Sequence, residues 1–235
     1  LGFRSLASKV VALPIGQTPR SSRRSNVQVQ CQMVETPEAL EELIGHLGRV
    51  NWFSIDLETT HLWPRWAEIV GYALATEDQK AWYIPVRSPP GDVQLNPQLV
   101  LDRLRPLLEN PAIEKIGQNL KYDMVVLRSA GVELAGVSFD SMVASYLLEP
   151  GARNHNLDEL ARRYLGHTTI KISELIGTGR QQKRMDQVPA AQVAEYAGED
   201  ALLPVLLRPI LARRLAQEGL DRLFAEVEIP LIGVL

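Results

Sequence analysis

The chain has 235 residues, of which 46% are hydrophobic and 23% charged, a composition typical of a globular protein with a buried core. No apolar run reaches the roughly 18 residues that a membrane-spanning helix needs, which argues against a membrane role. The net charge of −3 argues against a protein whose whole surface attracts nucleic acid, so any such contact needs local patches.

The first 34 residues differ in composition from the rest of the chain. They carry five basic residues and no acidic one, which leaves 20 basic and 28 acidic residues beyond them. The stretch 14–32 has no hydrophobic period and is rich in Ser and Arg, which predicts a flexible interdomain linker over residues 1–34. An organellar targeting peptide is the alternative. We prefer the linker, because the chain begins with Leu1 and is expected to be part of a longer protein.

Cys31 is the single cysteine. It cannot form an internal disulfide, and no second Cys or Cys/His cluster near it indicates zinc. An intracellular protein is therefore expected.

The ordered part is expected to begin near Thr36, which has the position of a helix N-cap before Pro37. Apolar runs then predict three strands of an antiparallel meander, at 52–56, 69–75 and 81–86. From residue 97 the apolar residues have helical spacing, which predicts a helix there. A short strand is predicted at 112–117, followed by helices at 119–130, 139–148, 156–165 and 189–217. The pattern predicts an α/β domain with a mixed sheet flanked by helices.

Two carboxylates lie at the end of the first predicted strand. Asp56 and Glu58 are two positions apart, and because side chains alternate along a strand, both should lie on one face. Converging carboxylates are suited to divalent cations. Alone, an Asp-x-Glu pair is more often a solvated surface pair.

Two further pairs have helical spacing. Asn119 and Asp123 are four residues apart at the start of a predicted helix, as are Tyr196 and Asp200 in the long one, so each pair should share a helix face. Taken singly, Asn119 is most simply interpreted as a helix cap, and Asp123 and Asp200 as exposed acids.

Together these three motifs resemble the exonuclease motifs of the DEDD superfamily, in the subclass with tyrosine in the third motif. The segments 81–86, 115–123, 139–142 and 228–231 are similar to family A DNA polymerases. The resemblance implies a ribonuclease H-like fold and a 3′→5′ proofreading exonuclease domain over residues 35–218. It also implies that residues 219–235 begin the connection to a polymerase domain of the same full-length chain.

The resemblance further implies a reaction. Two divalent metal ions, Mg²⁺ or Mn²⁺, would support hydrolysis of phosphodiester bonds that releases nucleoside 5′-monophosphates. Asp56 would bridge both ions, Glu58 and Asp200 would complete the site on the nucleophile side, and Asp123 would hold the second ion. Tyr196 would orient the attacking water together with Glu58.

The resemblance implies single-stranded DNA 3′ ends or frayed primer termini as substrates, and a cytoplasmic protein associated with the nucleoid. A monomer is the expected state. The resemblance places Leu62 beside the terminal base, and Gln118 and Asn119 beside the scissile nucleotide. His61 and Trp63 flank Leu62, where the family often has Gly or Ser and an acid. The loop residues Arg180, Lys183 and Arg184 are candidate phosphate contacts, although a solvated loop is the simpler interpretation.

Two other functions stay open. One is a free-standing nuclease that trims RNA, which belongs to the same superfamily. The other is a catalytically inactive module that only positions a polymerase.

Overall fold

The computed structural model describes residue 27 and residues 29–234, and these contain a six-stranded sheet. The strands are β1 (Cys31–Met33), β2 (Trp52–Thr59), β3 (Ile69–Ala75), β4 (Ala81–Pro85), β5 (Glu114–Gly117) and β6 (Val137–Asp140). Their order across the sheet is β1-β4-β3-β2-β5-β6. The pairs β2–β3 and β3–β4 are antiparallel, whereas β1–β4, β2–β5 and β5–β6 are parallel. The predicted meander is thus confirmed as the centre of a mixed sheet.

Helices connect and cover these strands. They are α1 (Pro37–Leu47), α2 (Pro97–Leu108), α3 (Leu120–Ser129), α4 (Ser141–Leu148), α5 (Leu157–Leu160), α6 (Ile172–Ile176), α7 (Ala190–Gln217), α8 (Asp221–Leu223) and α9 (Ile229–Ile232). The segments Ala161–Leu165 and Phe224–Glu228 are π-helical, and Gly179–Gln181 and Met185–Gln187 are short 3₁₀ turns. At the start of α1, the Ala39 amide donates to Thr36 Oγ1 at 3.2 Å, as expected for an N-cap. No helix of the described residues is long and apolar enough to cross a bilayer.

The two faces of β2 have different partners. Phe53, Ile55 and Leu57 belong to a core cluster with apolar residues of α1, α2 and α3. Because strand side chains alternate, Asp56 and Glu58 lie on the opposite face, where α7 and α4 form the second core cluster with β3, β4 and β5. The acidic pair therefore faces the long helix.

Helix α7 packs closely on the sheet because its inner face is built from small residues. Ala197 and Ala201 are fully buried, and a Cβ atom on Gly198 would come within 2.5 Å of the Cys31 Cβ atom. A larger residue there would force the helix away from β1. This close packing brings Tyr196 and Asp200 to the sheet.

The structure corrects two sequence boundaries. The predicted linker 1–34 ends too late, because Cys31–Met33 pairs with β4 and Val34 is buried. The rest of that linker lies mostly outside the described residues and stays a prediction. The helix predicted at 139–148 begins at Ser141, because residues 137–140 pair with β5. Both missed strands are too short to show alternation.

Candidate active site

Three carboxylates meet between the sheet and α7. Asp56 and Glu58 come from β2 and Asp200 from α7, and each offers an oxygen within 4.8 Å of the other two. Strand alternation places Asp56 and Glu58 on one face of β2, and the packing of α7 on that face brings Asp200 to them. Glu58 is 5% exposed, and Asp56 and Asp200 are half-buried.

Asp123 approaches the same region from α3 but lies outside that group of three. Its carboxylate is 3% exposed, and its Oδ1 accepts a hydrogen bond of 3.0 Å from the Leu57 amide. The residue between the two strand acids therefore fixes Asp123 beside them. Burial raises the pKa of Asp123, and the negative charge of Asp56 raises it further, as expected for neighbouring carboxylates.

Asp140, at the end of β6, holds the start of α3, and the sequence did not single it out as a functional residue. Its carboxylate accepts hydrogen bonds from the amides of Asn119 at 3.1 Å and Leu120 at 2.7 Å. It also caps α4 through the amides of Met142 and Val143, at 2.9 and 3.2 Å. One buried side chain thus orients two helices, and through α3 it positions Asp123. An Asp directly before a helix is the signal that could have found it.

The site strongly disfavours negative charge when no cation is bound. Burial raises the pKa of Asp56 to about 7. Burial, followed by the charges of Asp56, Asp200 and Asp123, raises the pKa of Glu58 well above its usual value. Burial also raises the pKa of Asp200, and a hydrogen bond from Tyr196 only partly offsets this effect. Burial raises the pKa of Tyr196 as well, so its hydroxyl stays protonated.

These residues fit divalent cations. The Glu58 Oε1 atom is buried and accepts no hydrogen bond from the described residues. A buried acceptor without a donor is unfavourable unless another group, such as a cation, satisfies it. Carboxylate oxygens are the ligands that Mg²⁺ and similar hard cations prefer. The arrangement therefore supports a divalent metal at Asp56, Glu58 and Asp200.

A cleft of about 790 Å³ opens over the carboxylates. Its lining includes Leu62 and Trp63 from the loop after β2, residues of α6, and Lys183 and Arg184 from the segment between α6 and α7. Leu62 is 86% exposed and stands at the cleft, as the sequence prediction requires. Its predicted contact with a terminal base stays a prediction.

Gln118 and Asn119 do not line this cleft. The Gln118 side chain donates to the His155 carbonyl at 3.0 Å and accepts from the Ser141 hydroxyl. Asn119 has a left-handed backbone with φ 57° and ψ 42°, and its side chain does not cap α3. The interpretation of Asn119 as a side-chain cap is therefore wrong, because Asp140 performs that role. Their predicted place beside the scissile nucleotide stays a prediction.

Comparison with known proteins now defines the class. The family model described as 3′-5′ exonuclease matches residues 31–216. The chain belongs to this family.

The chain is 34% identical over 225 residues to DNA polymerase I of Pseudomonas aeruginosa, a match that covers 94% of this chain and 25% of that protein. It spans only 21–25% of the length of the first three DNA polymerase I relatives that it matches.

Solved structures share the fold at lower identity. The POL domain of Pol1 from M. smegmatis, in complex with DNA primer-template and dNTP, superposes with a TM-score of 0.66 at 23% identity, over 85% of this chain and 30% of that one. Brucella melitensis NrnC with bound Mg²⁺ superposes with a TM-score of 0.61 at 22% identity, over 86% and 87%. The predicted ribonuclease H-like fold is thus confirmed.

Proposed function

We propose that this chain is the proofreading 3′→5′ exonuclease domain of a DNA polymerase I, in the DEDD subclass with tyrosine in the third motif. Its substrates are single-stranded or frayed DNA 3′ ends, and its products are nucleoside 5′-monophosphates. The similarity to DNA polymerase I along almost the whole chain supports this proposal. In the full-length protein, residues 219–235 would lead to the polymerase domain.

The observation that carries the proposal is the cluster of four carboxylates. Asp56, Glu58 and Asp200 lie within 4.8 Å of one another at the base of a cleft. Asp123 is held beside them by the Leu57 amide. These four carboxylates would hold two divalent ions: Asp56 would contribute to both, Glu58 and Asp200 to one, and Asp123 to the other.

When bound, such ions lower the pKa of water and neutralise charge that develops on the phosphate and on the leaving oxygen. The protein's own groups would then control orientation. Tyr196 is half-buried, and its protonated hydroxyl donates to Asp200 while no cation is bound. When a cation takes up the Asp200 carboxylate, that one proton would be free to point at the attacking water. Glu58 would accept the second hydrogen bond from that water. No separate base is required.

The test is Mg²⁺-dependent release of mononucleotides from a 3′-labelled single strand. The parent should release them, and EDTA should abolish release. Asp123→Ala and the double variant Asp56→Ala/Glu58→Ala should each abolish release while the protein stays folded. Glu42→Gln, an exposed acid on α1, is the matched control and should behave as the parent. A folded, metal-loaded parent that releases nothing would instead indicate an inactive module that positions a polymerase.

A second candidate is a free-standing nuclease that trims RNA. It is favoured by the match to NrnC, because that chain has nearly the same extent as this domain. Matched RNA and DNA oligonucleotides separate the two functions. Faster release from DNA supports proofreading, and faster release from RNA supports the trimming nuclease.

A further inference from the structure

The loop between β2 and β3 presents two exposed tryptophans beside the candidate active site. Trp63 is 64% exposed and Trp66 is 73% exposed, whereas large aromatic side chains are mostly buried in folded proteins. Their rings are in contact edge to face, with centroids 6.5 Å apart. Trp63 lines the cleft over the carboxylates, and Trp66 does not.

Hydrogen bonds hold this loop at both ends. The Thr60 amide donates to the Glu68 carbonyl at 3.0 Å, and the Glu68 amide donates to Thr60 Oγ1 at 3.1 Å. Tyr122 from α3 bonds to the His61 carbonyl and lies 2.6 Å from the Thr59 hydroxyl. Because these bonds anchor the ends of the loop, its backbone would lose less conformational entropy when Trp63 binds a ligand.

Two basic residues line the same cleft as Trp63. Lys183 and Arg184 belong to its lining, and both residues are exposed. Arg184 is engaged by Asp186, which leaves Lys183 as the simpler phosphate contact. An aromatic ring and a cation that line one cleft match a nucleotide, whose base stacks while its phosphate is neutralised.

We propose that Trp63 is a base-stacking residue that binds an unpaired nucleotide near the 3′ end and so favours single-stranded ends over paired ones. The inference rests on the proposed function, because it assumes that a nucleic acid strand enters the cleft. A base within a duplex stacks on its neighbours and cannot offer its face to Trp63. Stacking does not depend on base identity, which suits a site that must accept any sequence.

The test measures the binding of a fluorescently labelled oligothymidylate by anisotropy. An Asp123→Ala background with Mg²⁺ keeps the strand intact under the proposed function. Adding Trp63→Ala should raise the Kd roughly tenfold, the range expected for loss of one stacked base. Trp63→Phe should retain most of the affinity, and Trp66→Ala, the matched control on the same loop, should stay within about twofold.

A single abasic nucleotide, moved stepwise from the 3′ end, locates the stacked base. At one position the missing base should weaken binding to the protein that has Trp63. In the Trp63→Ala protein the same missing base should have no further effect. With Asp123 intact, Trp63→Ala should also reduce the preference for cleaving unpaired over paired ends.

The outcomes separate the two proposals. Cleavage of single-stranded DNA by the parent, together with unchanged binding by Trp63→Ala, overturns the stacking role and leaves the proposed function in place. Equal losses of affinity in Trp63→Ala and Trp66→Ala overturn the assignment of stacking to Trp63. A parent that neither binds nor cleaves DNA overturns both proposals.

Discussion

Metal-free protein should become less stable as the pH rises from about 5 to about 7.5, because the carboxylates at the site are buried and, once ionised, also repel one another. At 4.8 Å, each ionised pair interacts unfavourably by roughly 3 kcal/mol at an effective dielectric constant of about 20. Three such pairs would approach the total stability of a domain, about 5–15 kcal/mol. The site therefore retains protons near neutral pH when no cation is present.

The size of this loss of stability can be worked out from Asp56. Burial raises its pKa from 3.8 to about 7, and about three pKa units correspond to about 4 kcal/mol. Because Asp56 is partly exposed, solvent screening reduces this contribution to about 1–2 kcal/mol. The sign is that of a raised pKa: the stabilisation is complete below 3.8 and is lost as the pH rises through about 7.

Thermal unfolding in EDTA and in saturating Mg²⁺ measures the effect. In EDTA, the unfolding temperature should fall by about 2–8 °C across this pH range. Mg²⁺ should raise it more at the upper pH, because cation binding requires ionised carboxylates. The range stops below the point at which Lys115 titrates, since burial lowers the pKa of that residue to about 8.

Asp56→Asn tests the assignment to this residue. It should be more stable than the parent in EDTA at the upper pH, with a flatter pH profile and a smaller response to Mg²⁺. Glu42→Gln, which removes an exposed charge far from the cleft, should keep the parent's profile. The reasoning is refuted if the metal-free parent gains stability as the pH rises, or if Asp56→Asn is the less stable protein at the upper pH.

Three further predictions concern single side chains. Tyr196→Phe should lower kcat by roughly 10–100-fold with little change in unfolding temperature, and an unchanged kcat would show that the hydroxyl does not orient the water. Asp140→Asn should lower the free energy of unfolding, measured in urea, by about 2–4 kcal/mol, because an amide cannot accept all four backbone hydrogen bonds that the carboxylate accepts. An unchanged free energy of unfolding would contradict the role of Asp140 in holding α3 and α4. Gly71→Ala should cost about 1–3 kcal/mol, because its Cβ would meet the Tyr83 ring at 2.3 Å. The control Gly45→Ala, with open space around it, should instead stabilise α1 by about 0.5–1 kcal/mol.

Local spacing predicted which residues within a motif share a face, whereas the chemistry was implied only by the resemblance of the three motifs together. Asp56 and Glu58 share a face because side chains on a strand repeat every two residues. Tyr196 and Asp200 share a face because one turn of a helix has close to four residues. These relations hold wherever the elements form, and the strongly apolar runs at β2, β3 and β4 made the meander predictable.

Long-range contacts decided the rest. β1 and β6 are only three and four residues long and exist because neighbouring strands pair with them. Asp140 reaches the Leu120 amide across 20 residues of sequence, so no local pattern could show that it replaces Asn119 as the cap of α3.

Asp123 is held by the Leu57 amide 66 residues away, and small residues on α7 bring Asp200 to β2. The sequence by itself determined which carboxylates share a face. Only tertiary packing decided their mutual distances, because a separation of a few ångströms between distant segments depends on every side chain packed between them.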